Sequence, residues 1–411
     1  MKKDKKNQKY RPNNHATASD ELLGSVHQVT IEKIVPQGFG MVRIGGQVIF
    51  IPGVLPGEIV RIALGTNRGG YRNASVVEIV QASDYRISPA CPLFGHCGGC
   101  DAQYAESAYQ LELKKSILMD TLKRQGGLDL PAESLSLECF SGKAWDYRNR
   151  WQFHPVRLDS GPGIRPGLMR RDSQEPIALD DCPVAAVEIR QWLATRPNFQ
   201  ALAGTVDELS DNPGRGPLMP VFGAQDTLFP ADKPCKIQLN GRSVQFSGNG
   251  FFQSNLEMLE RLLAWLTERI PAANLAWDLY CGCGVFSQVL ESHSARITAV
   301  DNQAENCHFA KMNVDAAKTQ VVQADVETWL EAPSQVTPDF VVLDPPRAGL
   351  SRRVLDWICA KRPPAIAYIS CNPVTFSRDL RVLREHGYQV RELALFDFYP
   401  QTWHLETACL L

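Results

Sequence analysis

Three features of this 411-residue sequence predict a multidomain chain: a small β-barrel first, then a mixed α+β domain with a cysteine-rich loop, then an α/β domain with a doubly wound parallel sheet. Short β-rich runs broken by glycine fill residues 26–82, a tight set of cysteines follows at 91–100, and from 254 onward apolar strand-like runs alternate with helical stretches. At ~150 residues per domain the length suits about three domains, and a hydrophobic share of 44% is ordinary for globular cores. The expected divisions are an arm over 1–20, the barrel over 21–82, the central domain over 83–250 and the α/β domain over 251–411.

Composition excludes several classes. There is no apolar run long enough to span a bilayer, and the amino terminus is Lys-rich without the apolar core of a signal peptide, so a cytoplasmic protein with no membrane partner is expected. In a reducing compartment the 12 cysteines should be thiols, metal ligands or catalytic groups. A net charge of −2 argues against polyanion binding by the whole surface but leaves a local basic face open.

In chain order, Lys2, Lys3, Lys5, Lys6, Lys9 and Arg11 face a single acid, Asp4, which predicts a disordered basic arm that either attracts phosphates or simply aids solubility. The runs 26–34, 41–44, 48–51, 59–64 and 74–80, separated by Gly38, Gly40, Gly45-Gly46, Pro52-Gly53 and Pro56-Gly57, predict a five-stranded barrel. Around "PQGFGMVRIGGQVIFIPGVLPGEIVRI" this segment resembles the TRAM domain, an RNA-binding, OB-like β-barrel. On it Arg43, Arg61, Arg68 and Arg72 offer phosphate contacts beside Phe39 and Tyr71 as stacking surfaces, the alternative being a barrel used only for packing or protein contact.

Cys91, Cys97 and Cys100 form a C-x5-C-x2-C loop whose glycines let three sulfurs converge, and Cys182, between Asp181 and Pro183, is the best fourth ligand. Four soft sulfurs suit an iron-sulfur cluster or structural zinc, and spacing does not separate them. After a helix expected over 105–125, Arg148, Arg150, Arg165, Arg170 and Arg171 interleave with Tyr147, Trp151 and Phe153. That mixture suits single-stranded RNA and equally suits an ordinary solvated sheet face.

In the last domain the strand-like runs 275–280, 296–300, 320–323, 340–343 and 365–369 end in Cys281-Gly282-Cys283-Gly284, Asp301, Asp325, Asp344-Pro345-Pro346 and Cys371. Ligands of open α/β sheets bind at such strand ends. The glycine turn permits close approach, Asp301 suits ribose hydroxyls, and Asp325 suits an adenine amino group. The turn lacks G-x-G-x-x-G, the signature of a pyrophosphate cradle, which favours a phosphate-free nucleoside such as S-adenosylmethionine. Cys371 closes the run "IAYIS" and precedes an Asn-Pro turn, so its thiol should stand at the same edge; as a lone residue it reads more readily as a small apolar filler.

With "CPLFGHCGGC" and Cys182, "FFQSN" at 251–255, "DLYCGCGVFS", "LDPPRAGL", "ISCNP" and "HLET" at 404–407, the chain resembles the RNA uracil-C5 methyltransferase family, in its TRAM-containing, iron-sulfur branch that acts on 23S rRNA. The resemblance covers nearly everything beyond residue 20. It implies a Rossmann-like S-adenosylmethionine-dependent methyltransferase fold at the C-terminus and a [4Fe-4S] cluster on Cys91, Cys97, Cys100 and Cys182. It also implies Gln253, Tyr280, Asp301, Asp325 and Asp344 as cofactor and active-site contacts, Cys371 as nucleophile and Glu406 as base. One departure is Val285, where the family often has Asn. Uracil C5 becomes nucleophilic enough only after a thiolate adds at C6, and a base must later remove the C5 proton, so both roles are needed. The target uridine must be unpaired or flipped out.

Two rivals belong to other classes. An amino-group methyltransferase would use Asp344-Pro345-Pro346 followed by an aromatic, but Arg347 stands there; a noncatalytic RNA-binding assembly factor would use the barrel and cluster and carry a relict cofactor fold. Both transfer RNA and ribosomal RNA serve the family, ribosomal RNA being favoured here, and a monomer is expected.

Overall fold

The computed structural model describes residues 22–130, 132–158, 163–197, 218–230, 233–332 and 336–411, so the expected basic arm lies outside the described residues. The chain divides into two compact units that part near residue 84.

The first unit is a six-stranded barrel-like sheet in the order Val26–Thr30, Ile59–Asn67, Tyr71–Gln81, Gln47–Ile51, Phe39–Ile44, Lys33–Val35. Five strands were expected; the run 26–34 is two, because the Ile31 amide bonds the Glu58 carbonyl and its own carbonyl accepts the Gly57 amide, which ends the first pairing. Val42, Ile49, Ile51, Val60 and Ile62 fill the interior. Arg72 does not offer itself to phosphate: it is buried, with Nε on Gln47 Oε1 at 2.8 Å and Nη1 on the Gly65 carbonyl at 2.8 Å. Arg61 pairs with Glu78 at 3.1 Å.

The second unit contains a five-stranded antiparallel sheet, Pro176–Ala178, Ile164–Met169, Arg150–Arg157, Met219–Ala224 and Thr227–Pro230 in that order, backed by helix Val187–Ala194. Tyr147, Trp151 and Phe153 belong to its core and are not stacking surfaces. Arg150 donates to the Gly250 carbonyl at 2.6 Å and Arg165 pairs with Asp180 at 2.6 Å, so these two arginines are structural.

The same unit holds an eight-stranded sheet in the order Thr319–Gln323, Ser294–Asp301, Ala273–Leu279, Phe340–Leu343, Ala365–Ser370, Glu406–Leu410, Glu392–Phe396, Leu137–Phe140. The first five strands are parallel, as expected of a doubly wound sheet, and Glu406–Leu410 runs antiparallel to both of its neighbours. Alternate side chains feed opposite layers: Phe340 and Val342 join one core, Val341 and Leu343 the other. Leu137–Phe140, which precedes residue 250, closes this sheet, and Leu118 and Leu122 pack in the same layer as Val341 and Phe376. The helix expected over 105–125 runs Ser107–Thr121 and ends in a π turn, Leu122–Gly126. Among the described residues no helix is long and apolar enough to cross a membrane.

Candidate active site

At the carboxyl ends of the parallel strands lies a cavity of about 1390 Å³ whose lining includes Gln253, Tyr280, Asp301, Asp325, Asp344, Cys371 and Glu406. Strand order explains the gathering. Asp344 follows Phe340–Leu343 and Cys371 follows Ala365–Ser370, which are parallel neighbours. Glu406 opens the antiparallel strand, whose register pairs Ser370 with Thr407, so the next position on each strand sets Cys371 across from Glu406.

The thiol's surroundings are fixed by the helix Pro373–Glu385. Asn372 caps it by accepting the Val374 amide at 3.1 Å, and Pro373 at its first position needs no amide partner. Asn372 Nδ2 and Thr375 Oγ1 both donate to the Arg347 carbonyl, at 3.0 and 3.2 Å, and the Leu350 amide donates to Asp379 at 2.8 Å. The loop after Asp344 is therefore strapped to the helix after Cys371. Gly349 is required in that strap, because its φ is +75° and a Cβ there would meet an Asp379 oxygen at 2.5 Å. Arg347, which sequence reasoning used only to argue against another chemistry, lies on the cavity wall with Nη2 at 3.2 Å from His404 Nδ1.

Electrostatics oppose full ionisation here. Burial pushes the Cys371 thiol up to about 12, with Glu406 and Asp344 adding to the rise and Arg347 opposing it. Burial also holds Glu406 well above the usual carboxylate range, reinforced by Asp344 and relieved by Arg347. Asp344 is raised by burial and by Asp278.

On the other side of the cavity the chain turns through Tyr280, Gly282 and Gly284, with φ of 66°, 54° and 85°. Asp301 braces this turn: one oxygen accepts the Gly282 amide at 3.0 Å, the other the Gln303 amide at 2.8 Å and Asn306 Nδ2 at 3.1 Å. Asp325 caps helix Val326–Leu330 through the Thr328 amide at 3.1 Å. Gln253 Oε1 is buried with no partner among the described residues, and Val285 also lines the cavity. A roomy cavity, a glycine turn without bulky approach and an orphaned amide oxygen fit a nucleoside cofactor such as S-adenosylmethionine.

A second, small cavity of about 20 Å³ is lined by Cys91, Cys97, Cys100 and Cys182 together. Cys182 arrives on a turn in which its amide bonds Asp181 at 2.8 Å and its carbonyl accepts the Ala185 amide at 2.8 Å. Burial raises the Cys97 thiol and pushes Cys100 and Cys182 up to about 11 and about 12. Among the described residues no three His, Cys, Asp or Glu side chains sit at metal-holding distances, so the four share a pocket without forming a finished coordination sphere. The donor set still fits a soft cationic centre, since buried thiols ionise together only beside strong positive charge. Gly99 and Trp151 line both cavities.

The sequence matches the family described as tRNA (Uracil-5-)-methyltransferase over residues 233–328 and 334–411, and the TRAM domain over 20–77. An uncharacterized RNA methyltransferase of Treponema denticola is 31% identical, covering 88% of this chain and 93% of its own length. The 23S rRNA (uracil(1939)-C(5))-methyltransferase RlmD of Shewanella amazonensis is 28% identical, covering 98% of each. The structure of Pyrococcus abyssi tRNA (uracil-54, C5)-methyltransferase in complex with S-adenosyl-L-homocysteine has the same fold, with a TM-score of 0.69 at 21% identity over 94% of this chain and all of that one.

Proposed function

The chain belongs to the RNA uracil-C5 methyltransferase family, and we propose that it methylates C5 of a uridine in 23S rRNA through a covalent adduct between Cys371 and uracil C6. The observation that carries this reading is the strand register that sets Cys371 across from Glu406, in a cavity shared with Asp301, Asp325 and Gln253.

When bound, S-adenosylmethionine supplies an electrophilic methyl group on a sulfonium. The protein does the rest. The Cys371 thiol loses its proton to solvent, its sulfur bonds C6, and electron density moves onto C5 and the adjoining carbonyl. Arg347 opposes the rise in both the Cys371 and Glu406 pKa values, so its charge favours the thiolate. Once C5 has taken the methyl group, with the neutral thioether as leaving group, Glu406 takes the C5 proton, the C6–S bond breaks and the thiolate leaves. A carboxyl raised by burial is a stronger base once ionised, which suits a carbon-bound proton. Gln253, with its unpartnered Oε1, and Asp301 with Tyr280 are the residues we assign to cofactor binding, Asp325 completing the purine side.

We further infer that Cys91, Cys97, Cys100 and Cys182 hold a [4Fe-4S] cluster that fixes their loop rather than moving electrons, since methyl transfer needs none. The barrel supplies RNA affinity, and the protein acts as a cytoplasmic monomer. Ribosomal rather than transfer RNA is supported by full-length similarity to RlmD. Nucleoside mapping of 23S rRNA and transfer RNA from cells with and without the protein tests the reading. Loss of one or more 5-methyluridines from 23S rRNA alone is expected, whereas loss from transfer RNA alone overturns the substrate and no loss overturns the activity.

A further inference from the structure

The segment that delivers the assigned base is gripped from outside the cavity. Residues 397–405 join the strands Glu392–Phe396 and Glu406–Leu410 and place Tyr399, Thr402 and His404 on the cavity wall. Helix Ser107–Thr121, almost three hundred residues earlier, holds them with two buried side chains. Lys114, whose side chain is 0% exposed, sets Nζ at 2.6 Å from Asp397 Oδ1 and donates to the Tyr399 carbonyl at 2.9 Å. Gln110 Oε1 accepts the Gln401 amide at 2.9 Å, and its Nε2 donates to Gln401 Oε1 at 3.0 Å.

Gln401 is itself unusual, a buried non-glycine residue at φ 67°. Such a conformation persists only where its surroundings over-determine it. Its carbonyl accepts the amides of Asp101 and Ala102 at 3.1 and 3.0 Å, while Asp101 Oδ1 accepts the Trp403 amide at 2.9 Å. Asp101 directly follows Cys100, so the cysteine loop and the helix grip the same few residues. A buried ion pair is a poor device for stability alone, because an apolar pair of equal volume serves as well or better. What an apolar pair lacks is a donor to the Tyr399 carbonyl, and with it control of the backbone path into Glu406.

We propose that Gln110 and Lys114, with Asp101, are positioning residues that clamp residues 397–403 and so keep Glu406 aligned for proton removal. The inference rests on Glu406 being the base. Cys371 lies between the strand Ala365–Ser370 and the helix Pro373–Glu385, and the side-chain bonds of Gln110, Lys114 and Asp101 reach neither, so thiol addition is spared when the clamp is lost.

The test uses the full chain, an unmodified 23S rRNA transcript and tritiated S-adenosylmethionine. Lys114→Met with Asp397→Leu removes both charges of the ion pair together, and Gln110→Met is the second variant should the first fold poorly. Each is normalised to folded protein by its unfolding transition, with Glu406→Gln alongside. Expected is a fall in kcat of about 10- to 100-fold with KM and cofactor affinity within about threefold, together with accumulation of covalent protein–RNA species. Unchanged kcat per folded molecule, or a loss of adduct as large as the loss of turnover, overturns the clamp. Normal turnover by Glu406→Gln instead overturns the base assignment and the clamp's stated purpose with it.

Discussion

Asp278 provides a quantitative test of the electrostatics beneath the site. It is fully buried on the strand Ala273–Leu279, with one oxygen receiving the Ser287 hydroxyl at 2.5 Å and Oδ1 unpartnered among the described residues. Burial pushes its pKa from 3.8 up to about 7. The unfolded chain ionises near 4, so between about pH 4 and 7 the folded state holds a proton that the unfolded state has lost, and stability falls as pH rises. Each unit of that interval is worth ~1.36 kcal/mol, which makes the cost at pH 8 at most about 4 kcal/mol. Asp278→Asn removes the titration. Its unfolding midpoint should exceed wild type at pH 8, by several degrees at ~2–4 °C per kcal/mol, and the gap should close towards pH 4. Thermal unfolding followed by fluorescence across pH 4 to 8 measures this. A constant gap, or a variant less stable only at high pH, would refute an Asp278 kept neutral by burial.

The remaining predictions concern the thiol, the base and the cysteine pocket. Cys371→Ala should bind S-adenosylmethionine yet neither methylate RNA nor attach to it, whereas Glu406→Gln should add and methylate but accumulate an adduct resistant to denaturant on a gel; methylation by the first or normal turnover by the second ends the respective role. Since Glu406 is the largest contributor after burial to the raised Cys371 pKa, Glu406→Gln should shift the pH profile of Cys371 alkylation, read by peptide mass spectrometry, to lower pH; an unmoved profile would show that the two groups do not interact. Anaerobically purified protein should be brown, with iron and acid-labile sulfide that Cys182→Ser loses, and stoichiometric zinc without iron would refute the cluster.

Much of the site was legible because its residues terminate strands. Asp301, Asp344 and Cys371 each follow a short apolar run, and a parallel sheet gathers such ends at one edge whatever its strand order. What was not legible depends on pairings between distant segments. The facing of Cys371 and Glu406 needs the Ser370–Thr407 register, which no local pattern encodes. Leu137–Phe140 has four residues and no parallel-sheet signature of its own, so its place beside Glu392–Phe396 was invisible. Arg72 and Trp151 misled for one reason: residue type does not reveal which sheet face a side chain takes, and both face inward. Lys114 gave no signal either, since a lysine in a helix ordinarily reads as solvent-facing.

These buried groups also constrain the order of proton movements. Asp344 raises Glu406, Glu406 and Asp344 both raise Cys371, and Asp278 raises Asp344. With Arg347 opposing only part of the rise, the cluster cannot hold all its negative charges at neutral pH. A thiolate therefore forms most readily while Glu406 is neutral, and Glu406 can accept the C5 proton only after losing its own. Addition and elimination consequently want opposite charge states of one carboxyl. Once the adduct forms, the sulfur is no longer anionic and sets no charge against the ionising Glu406. The base would then become competent through the chemistry of the preceding step. A proton must leave Glu406 between the two, and turnover should rise with pH through the neutral range because each group's raised pKa places its ionised form on the alkaline side.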